Sequence, residues 1–439
     1  MRHAGEFFTY LSVSVGMALA VSCFAVFSLL FHDAQANQIV LAIVIAGILC
    51  FGVAASIAEL ARRFPASAGL RTYLKAAFGD AVSLFVVFMY LFLVLLIAGV
   101  ESYVFAGIVE QFIPDFPRWL TIGLLLGAVI TVNLAGVELP GRAQSLLTML
   151  LVIGLLSVSL FALQSAPPAL PVVPPVTEAR WDLLPQIICL AFFMFVGFEW
   201  VIQVGRRPAA YQRLIPAAML VSIVLLATIY GLFALALNMH LDNTQLSTTQ
   251  TPQIVLGTHL LGEHGRWLFA GLSLLAILTS FNAGILGATR LMYALARESH
   301  LPQWCANISL HSGVPTGAVL ALGSAAMVSA ILINAYHAYG MASALSAIII
   351  CVTYISLLAA AWRLKRGDIF ASGATKQQRL PAMAQLVMAI ILAGVAAATA
   401  FSSSSLLGQC LVVVAIAGGM TWLSLAHAKK TRYVGQTPT

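Results

Sequence analysis

Residues 186–204 read Gln186-Ile187-Ile188-Cys189-Leu190-Ala191-Phe192-Phe193-Met194-Phe195-Val196-Gly197-Phe198-Glu199-Trp200-Val201-Ile202-Gln203-Val204. The run is long and apolar enough for a helix in lipid, yet a glycine and a carboxylate stand near its middle. A charged carboxylate at mid-helix costs ~2.5–3.5 kcal/mol on the insertion scale, so a residue kept there has a purpose or is protonated. Glycine beside it allows backbone to open and approach a ligand closely. An apolar helix interrupted in this way points to polar work done inside a membrane.

The rest of the chain agrees. Its 439 residues are 61% hydrophobic and only 8% charged, with a mean hydropathy of +0.98, whereas soluble domains carry about 25% charged residues. A bilayer core requires roughly 20 apolar residues per helix. The sequence supplies twelve such runs, at 7–31, 38–58, 82–111, 118–135, 145–164, 183–205, 213–238, 267–293, 315–334, 340–362, 381–400 and 404–427. Unbroken apolar runs do not alternate as barrel strands do, so the class is all-α. One integral membrane domain over residues 1–439 is expected.

Basic residues set the orientation. With the N-terminus inside, all of the 22 Lys and Arg except Arg118, Arg180 and Arg266 fall on the cytoplasmic side. That asymmetry predicts an even number of crossings with both termini in the cytoplasm. It also accounts for the net charge of +7 without a nucleic-acid partner. Ala34-Gln35-Ala36 mimics a signal-peptide cleavage site, but the preceding apolar stretch is about twice an h-region in length, so it reads as a retained span. Six scattered cysteines, never in a CxxC spacing, exclude a disulfide framework and a zinc cluster. Prolines crowd 165–182 into an extended outer strap, and 239–266 is long enough to fold over the outer surface. Segments 59–80 and 290–313 mix apolar and basic residues like interfacial helices.

Several spaced motifs carry a resemblance. Ala58-Glu59-Leu60, Phe64-Pro65, Ala68-Gly69, Thr72-Tyr73 and Ala77-Phe78-Gly79 follow the second span. Asn133-Leu134-Ala135-Gly136-Val137 precedes the fifth. Phe192 to Glu199 lies in the sixth, with Pro208 and Pro216 after it. Ala288-Thr289-Arg290-Leu291-Met292-Tyr293-Ala294-Leu295-Ala296-Arg297, Leu301-Pro302 and Val314-Pro315 follow, then Tyr354 with Arg363-Leu364. In this order they resemble the amino acid–polyamine–organocation permeases over roughly residues 10–430. The resemblance implies a leucine-transporter-like fold: a five-helix repeat over 7–164, its inverted mate over 183–362, and two additional helices over 381–427. It also implies that the first and sixth helices are discontinuous and hold substrate at the midplane, with breaks expected near 20–24 and 194–198. The first helix departs from the family pattern. Ala20-Val21-Ser22-Cys23-Phe24 replaces a Gly-x-Gly-Ile-Phe type sequence, keeping small residues but losing both glycines.

The expected substrate-binding set is therefore Ala20, Val21, Ser22, Cys23, Glu101, Phe193, Val196, Gly197 and Glu199. By resemblance Phe193 is a gate residue. Of the 15 acids only Glu101 and Glu199 lie well inside spans. Glu199 reads either as a proton-titrating or gating group or as a cap on freed amides. Glu101 reads either as a receptor for a cationic group or as a structural hydrogen bonder. Thr279, Ser280 and Asn282 form a small polar cluster in the eighth span. It reads as an ion-coupling site or as interhelical hydrogen bonding, the latter favoured because no acid accompanies it. The fifth span has no lysine, which disfavours a fixed ammonium in place of a coupling ion.

These readings predict a secondary active transporter in a bacterial-type inner membrane. It moves an amino acid or related amine by alternating access, coupled to a proton or sodium or by exchange. A polyamine or cationic-amine antiporter, a channel and a membrane sensor are the alternatives. No metalloprotease, nucleophile-elbow or Walker motif is present, so an enzyme is not expected, nor a cofactor or metal.

Overall fold

In lipid every backbone N–H must find a carbonyl inside the chain, and the computed structural model meets that demand with helices. It describes residues 2–65, 69–136, 141–165, 180–204, 208–310, 312–366 and 381–434. The first half holds α1 (Arg2–Asp33), α2 (Ala36–Arg63), α3 (Gly69–Glu110), α4 (Arg118–Leu134) and α5 (Gly141–Gln164). The second begins with α6 (Leu184–Phe193), a 3-10 turn at Phe198–Trp200 and the short α7 (Val201–Val204). It continues through α8 (Pro208–Gln212), α9 (Leu214–His240), α10 (Asn243–Thr248), α11 (Pro252–Arg297), α12 (Thr316–Ala335) and α13 (Tyr339–Arg366). Two further helices, α14 (Ala382–Ala400) and α15 (Ser404–Val434), complete the chain. Among the described residues the β-structure is one isolated bridge, Ile308 to Pro315.

Eleven of the expected spans lie along single helices, and the sixth is divided between α6 and α7. Nine segments among the described residues are long and apolar enough to cross a membrane. α4 is apolar but only 17 residues long, and α1 and α11 include residues whose side chains lie outside the description.

Pairings between helices recur. α2 packs on α9, α1 on both α9 and α5, and α3 on α13, α12 and α4. In the second half α6 packs on α2 and α13, and α11 on α5, α4 and α12. Behind the interruption between α6 and α7, an aromatic cluster fixes the packing. Phe27 meets Phe233 at 5.2 Å and Tyr230 at 6.3 Å between ring centroids, and Phe195 meets Tyr230 at 5.5 Å. Edge-to-face pairs of this kind add ~0.5–1.5 kcal/mol each beyond area burial. The outer faces of α14 and α15 present Met383, Ile390, Leu411 and Trp422, apolar surface suited to lipid.

Three expectations need correction. α1 is one helix across residues 20–24, not a broken pair. Every residue there carries a Cβ, so none offers the conformational freedom of glycine, and opened amides in lipid cost several kcal/mol each, by the order of unsatisfied groups. The segment 290–313 is not an interfacial helix. α11 simply continues to Arg297, and a 3-10 turn at Gln303–Ala306 and the bridge follow. Likewise 59–63 belongs to α2, while 69–78 forms a first segment of α3 that bends away at Gly79, whose φ is 80°.

The segment 239–266 folds as the end of α9, α10 and the first part of α11, with a kink at Gly262. It is tied to the end of α3. Gln250 Nε2 donates to Tyr103 Oη (3.2 Å), Gln111 Nε2 to Thr251 Oγ1 (2.9 Å), and Arg266 to the Gln111 carbonyl (2.7 Å). His337 lies exposed in the turn between α12 and α13, with φ 48°. Most of the proline strap, at 166–179, lies outside the described residues, as do Ala68 and Val137.

Candidate functional site

The sixth span breaks where its sequence says it should. Past Phe193 the helix tightens: Phe195 N–H donates to Phe192 C=O (3.2 Å) and Val196 N–H to Phe193 C=O (3.0 Å). Gly197 then takes φ +118°, ψ −19°, a conformation L-residues with a side chain rarely adopt. It also presses on α1, where an added Cβ would meet Ala18 N at 2.8 Å and the Met17 carbonyl carbon at 2.9 Å. Two carbonyls exposed by the break find partners. Tyr230 Oη donates to Met194 C=O (3.0 Å), and Ser14 Oγ to Phe198 C=O (2.8 Å).

Glu199 sits in the resumed turn, buried. The Gly197 N–H donates to its Oε2 (3.1 Å), Tyr354 Oη of α13 to Oε2 (2.7 Å), and Tyr90 Oη of α3 to Oε1 (3.1 Å). One carboxylate thus links the broken helix to one helix of each half. Phe192 and Phe198 flank Tyr354 at 5.6 Å each.

Two cavities lie on either side of this partition. The larger, about 570 Å3, is lined by Glu199, Tyr90 and Tyr354 and extends to Arg290, Arg297 and Glu298 at the end of α11. The smaller, about 40 Å3, is bounded by Glu101, Ser280, Val196, Gly197, Met17 and Trp200, with apolar side chains of α3 and α11. Trp200 stands beside Tyr90, rings 6.1 Å apart, so these two aromatics separate the cavities together with the Gly197–Glu199 turn. Glu101 is 4% exposed. Ser280 Oγ donates to its Oε1 at 3.0 Å, so the fold supplies the acid that the sequence around Ser280 lacks.

The structure therefore brings Glu101, Val196, Gly197, Glu199 and Ser280 together. Phe193 is fully buried and borders neither cavity. The side chains of Ala20, Val21, Ser22, Cys23, Thr279 and Asn282 lie outside the description. Tyr90 is the site residue that sequence reasoning passed over; Trp200 read as a packing neighbour of Glu199, and Tyr354 entered only as part of a motif. Tyr90 precedes Glu101 by 11 residues, about three helical turns, which places both on one face of α3; that spacing is the signal that would have found it.

A second polar cluster lies where α3 begins and α11 ends. Buried Arg71 donates to Ser83, to Asp80 and to Glu298, the last at 2.9 Å, and Lys75 reaches Glu298 at 3.1 Å. His300 Nδ1 lies 3.1 Å from Ser424 Oγ of α15. Burial pushes the Glu298 carboxyl up, but the Lys75 hydrogen bond and the Arg71 charge outweigh it and hold the group below its ordinary value. Burial and the Arg71 charge push His300 below its ordinary value. Asp80, Glu298 and His300 approach closely enough to share a metal ion. Arg71 and Lys75 already bond both carboxylates, so the donor set fits a salt-bridge network and not a metal cradle. Buried Glu59 of α2 pairs with Lys365 of α13 at 2.8 Å.

Comparison with known proteins decides the family. The amino acid permease profile matches residues 10–428. The chain belongs to the amino acid permease family. An uncharacterised transporter of Mycobacterium tuberculosis is 26% identical over 320 residues, covering 71% of this chain and 70% of that one. The gamma-aminobutyric acid permease of Bacillus subtilis is 24% identical over 63% of this chain and 61% of its own length. L-asparagine permease 1 of M. tuberculosis is 22% identical over 63% and 59%. A crystal structure of an Eremococcus coleocola manganese transporter mutant covers 97% of this chain and 94% of its own, with a TM-score of 0.60 at 15% identity, which is a likeness of fold. The permease is a multi-pass integral membrane transporter for amino acids.

Proposed function

We propose that this permease is a secondary active transporter working by alternating access, with Glu199 as its proton-linked gate. The observation that carries the reading is the grip on Glu199: an amide of the helix break and hydroxyls from α3 and α13 all converge on one carboxylate between two cavities. Protonation of Oε2 would place a donor where two of these hydrogen bonds, from Gly197 and Tyr354, are now accepted. The larger cavity reaches the basic end of α11, which on the charge asymmetry is cytoplasmic, so this conformation is inward-facing. The permease has no enzymatic step.

Twelve crossings in an inner membrane with both termini cytoplasmic fit the helices. The three arginines assigned to the outside are each neutralised locally: Arg118 by Glu110, Arg180 by Asp182 and Arg266 by Glu263. Two five-helix repeats, 7–164 and 183–362, with 381–427 appended, are supported by the pairings. Exchanging the first five spans with the second five turns α1·α9 into α6·α2, α3·α13 into α11·α5, α3·α12 into α11·α4, and α1·α5 into α6·α13, all of which occur. Uptake into proteoliposomes under an imposed pH gradient tests the proposal. Wild type shows saturable uptake rising with the gradient, and Glu199→Gln keeps binding but loses the pH dependence. An unchanged pH profile in the variant would reduce Glu199 to a structural cap and refute the coupling.

A further inference from the structure

Glu101 differs from Glu199 in how its oxygens are satisfied. Ser280 engages Oε1, and Oε2 has no partner among the described residues although the side chain is more than nine-tenths buried. The residue borders the small cavity, and among the described residues no lysine, arginine or histidine lines that cavity. A carboxylate so enclosed must be neutralised by a proton or by a cation entering the cavity.

The same region is poorly equipped for an anion. A substrate carboxylate needs open amides or a basic side chain. The amides of Met194 through Gly197 are all engaged, the last by Glu199 itself, and α1 is helical across 20–24. Any carboxylate brought beside Glu101 would also meet its like charge, which disfavours a molecule carrying ammonium and carboxylate on one carbon.

We infer that the small cavity receives the ammonium group of the substrate on Glu101 Oε2, and that the favoured substrates carry this ammonium far from any carboxylate: ω-amino acids, amino acids with a cationic side chain, or diamines. Ser280 is the positioning residue that holds the other oxygen. Val196 and its apolar neighbours accept the methylenes next to the ammonium. The inference rests on the transporter reading for its purpose but concerns binding alone.

Binding to the purified full-length permease in detergent, measured calorimetrically, tests it apart from transport. The probes share five carbons: 1,5-diaminopentane, 5-aminopentanoate, 2-aminopentanoate and pentanoate. The first two are expected to bind at least tenfold more tightly than 2-aminopentanoate, with no binding of pentanoate. Glu101→Gln should lose at least tenfold for the first two, and Ser280→Ala should weaken them less. Equal or tighter binding of 2-aminopentanoate, binding of pentanoate, absence of binding by the first two, or unaltered affinity in Glu101→Gln overturns the inference. Should Glu101→Gln fail to fold, the probe series on the wild type decides alone. Loss of gradient-driven uptake with this binding order intact would count against the transport mechanism and leave the ammonium site standing.

Discussion

Gly197→Ala is the sharpest probe of how the break is built. Two penalties add at this position. The backbone conformation, φ +118°, is costly for any residue with a Cβ, by ~1–3 kcal/mol. The new methyl would also lie 2.8 Å from Ala18 N and 2.9 Å from the Met17 carbonyl carbon. These are helix backbone atoms that cannot rotate aside, and overpacking of this sort costs ~1–3 kcal/mol. Together they predict a destabilisation of ~2–6 kcal/mol. Gly79→Ala supplies the control. Its φ of +80° imposes the backbone penalty, but nothing lies within 4 Å of the added carbon, so a loss of ~1–3 kcal/mol is expected. The comparison isolates the contact between α1 and the break. Heating both variants in detergent should inactivate Gly197→Ala well before Gly79→Ala, and uptake should fall more than tenfold only in the former, because displacing α1 also drags the amide that caps Glu199. Equal inactivation temperatures and equal uptake would show that the break does not depend on its seat against α1.

Tyr354→Phe should slow transport more than Tyr90→Phe, since the Tyr354 hydroxyl lies closer to Glu199, at 2.7 Å against 3.1 Å; a hydrogen bond to a charged group is worth ~1.5–3 kcal/mol, and initial uptake rates report the difference. Acidification should destabilise the cluster around Arg71 in two steps. His300 is held below its ordinary 6.5, so the unfolded state binds the extra proton and stability falls as pH drops from about that value. Glu298 is held below its ordinary 4.5, so its contribution is present above that pH and is lost as pH falls through the depressed value. Thermal inactivation against pH should show both steps, with the upper one absent in His300→Gln. Reporter fusions at residues 170 and 439 should report opposite sides of the membrane, and an external C-terminus would contradict the assigned orientation.

The sequence made the spans legible because bilayer thickness imposes length and lipid excludes charge, so Ile39 to Ala58 or Ile215 to Leu237 admit few other readings. The resemblance placed a break near 194–198, and Gly197 takes the left-handed conformation there. The continuity of α1 was less legible. The family pattern argued for an opening, while the local chemistry of Ala20 to Cys23, all bearing a Cβ, argued against it, and the local chemistry prevailed. Interfacial helices at 290–313 were misread because basic and apolar residues mix there for another reason: α11 ends at Arg297 and the chain then turns back through Pro302 and Pro315 to start α12. Long-range partners were hidden altogether. Nothing near Ser280 in sequence discloses Glu101, 179 residues away, and nothing near Arg71 discloses Glu298.

The two buried acids divide the site's labour through what surrounds them. Glu199 receives three hydrogen bonds from the protein and stands between the cavities, so its charge is stabilised without a ligand and changes in its protonation act on the helices that hold it. Glu101 receives one, from Ser280, and faces a cavity with no basic lining among the described residues, so its charge is completed only by what enters. Both belong to one assembly, because Tyr90 and Glu101 share a face of α3 about three turns apart, and Gly197, whose amide caps Glu199, borders the cavity of Glu101. A cation settling on Glu101 would occupy the cavity that Gly197 borders, beside the turn that holds Glu199. Any movement of that turn alters the donors to the Glu199 carboxylate, and by linkage protonation of Glu199 must alter the affinity for the cation by the same factor. Substrate affinity measured against pH should therefore shift in wild type and lose that shift in Glu199→Gln, while Glu101→Gln should lose affinity at every pH. If both variants show the same pH response as wild type, the two carboxylates are not coupled.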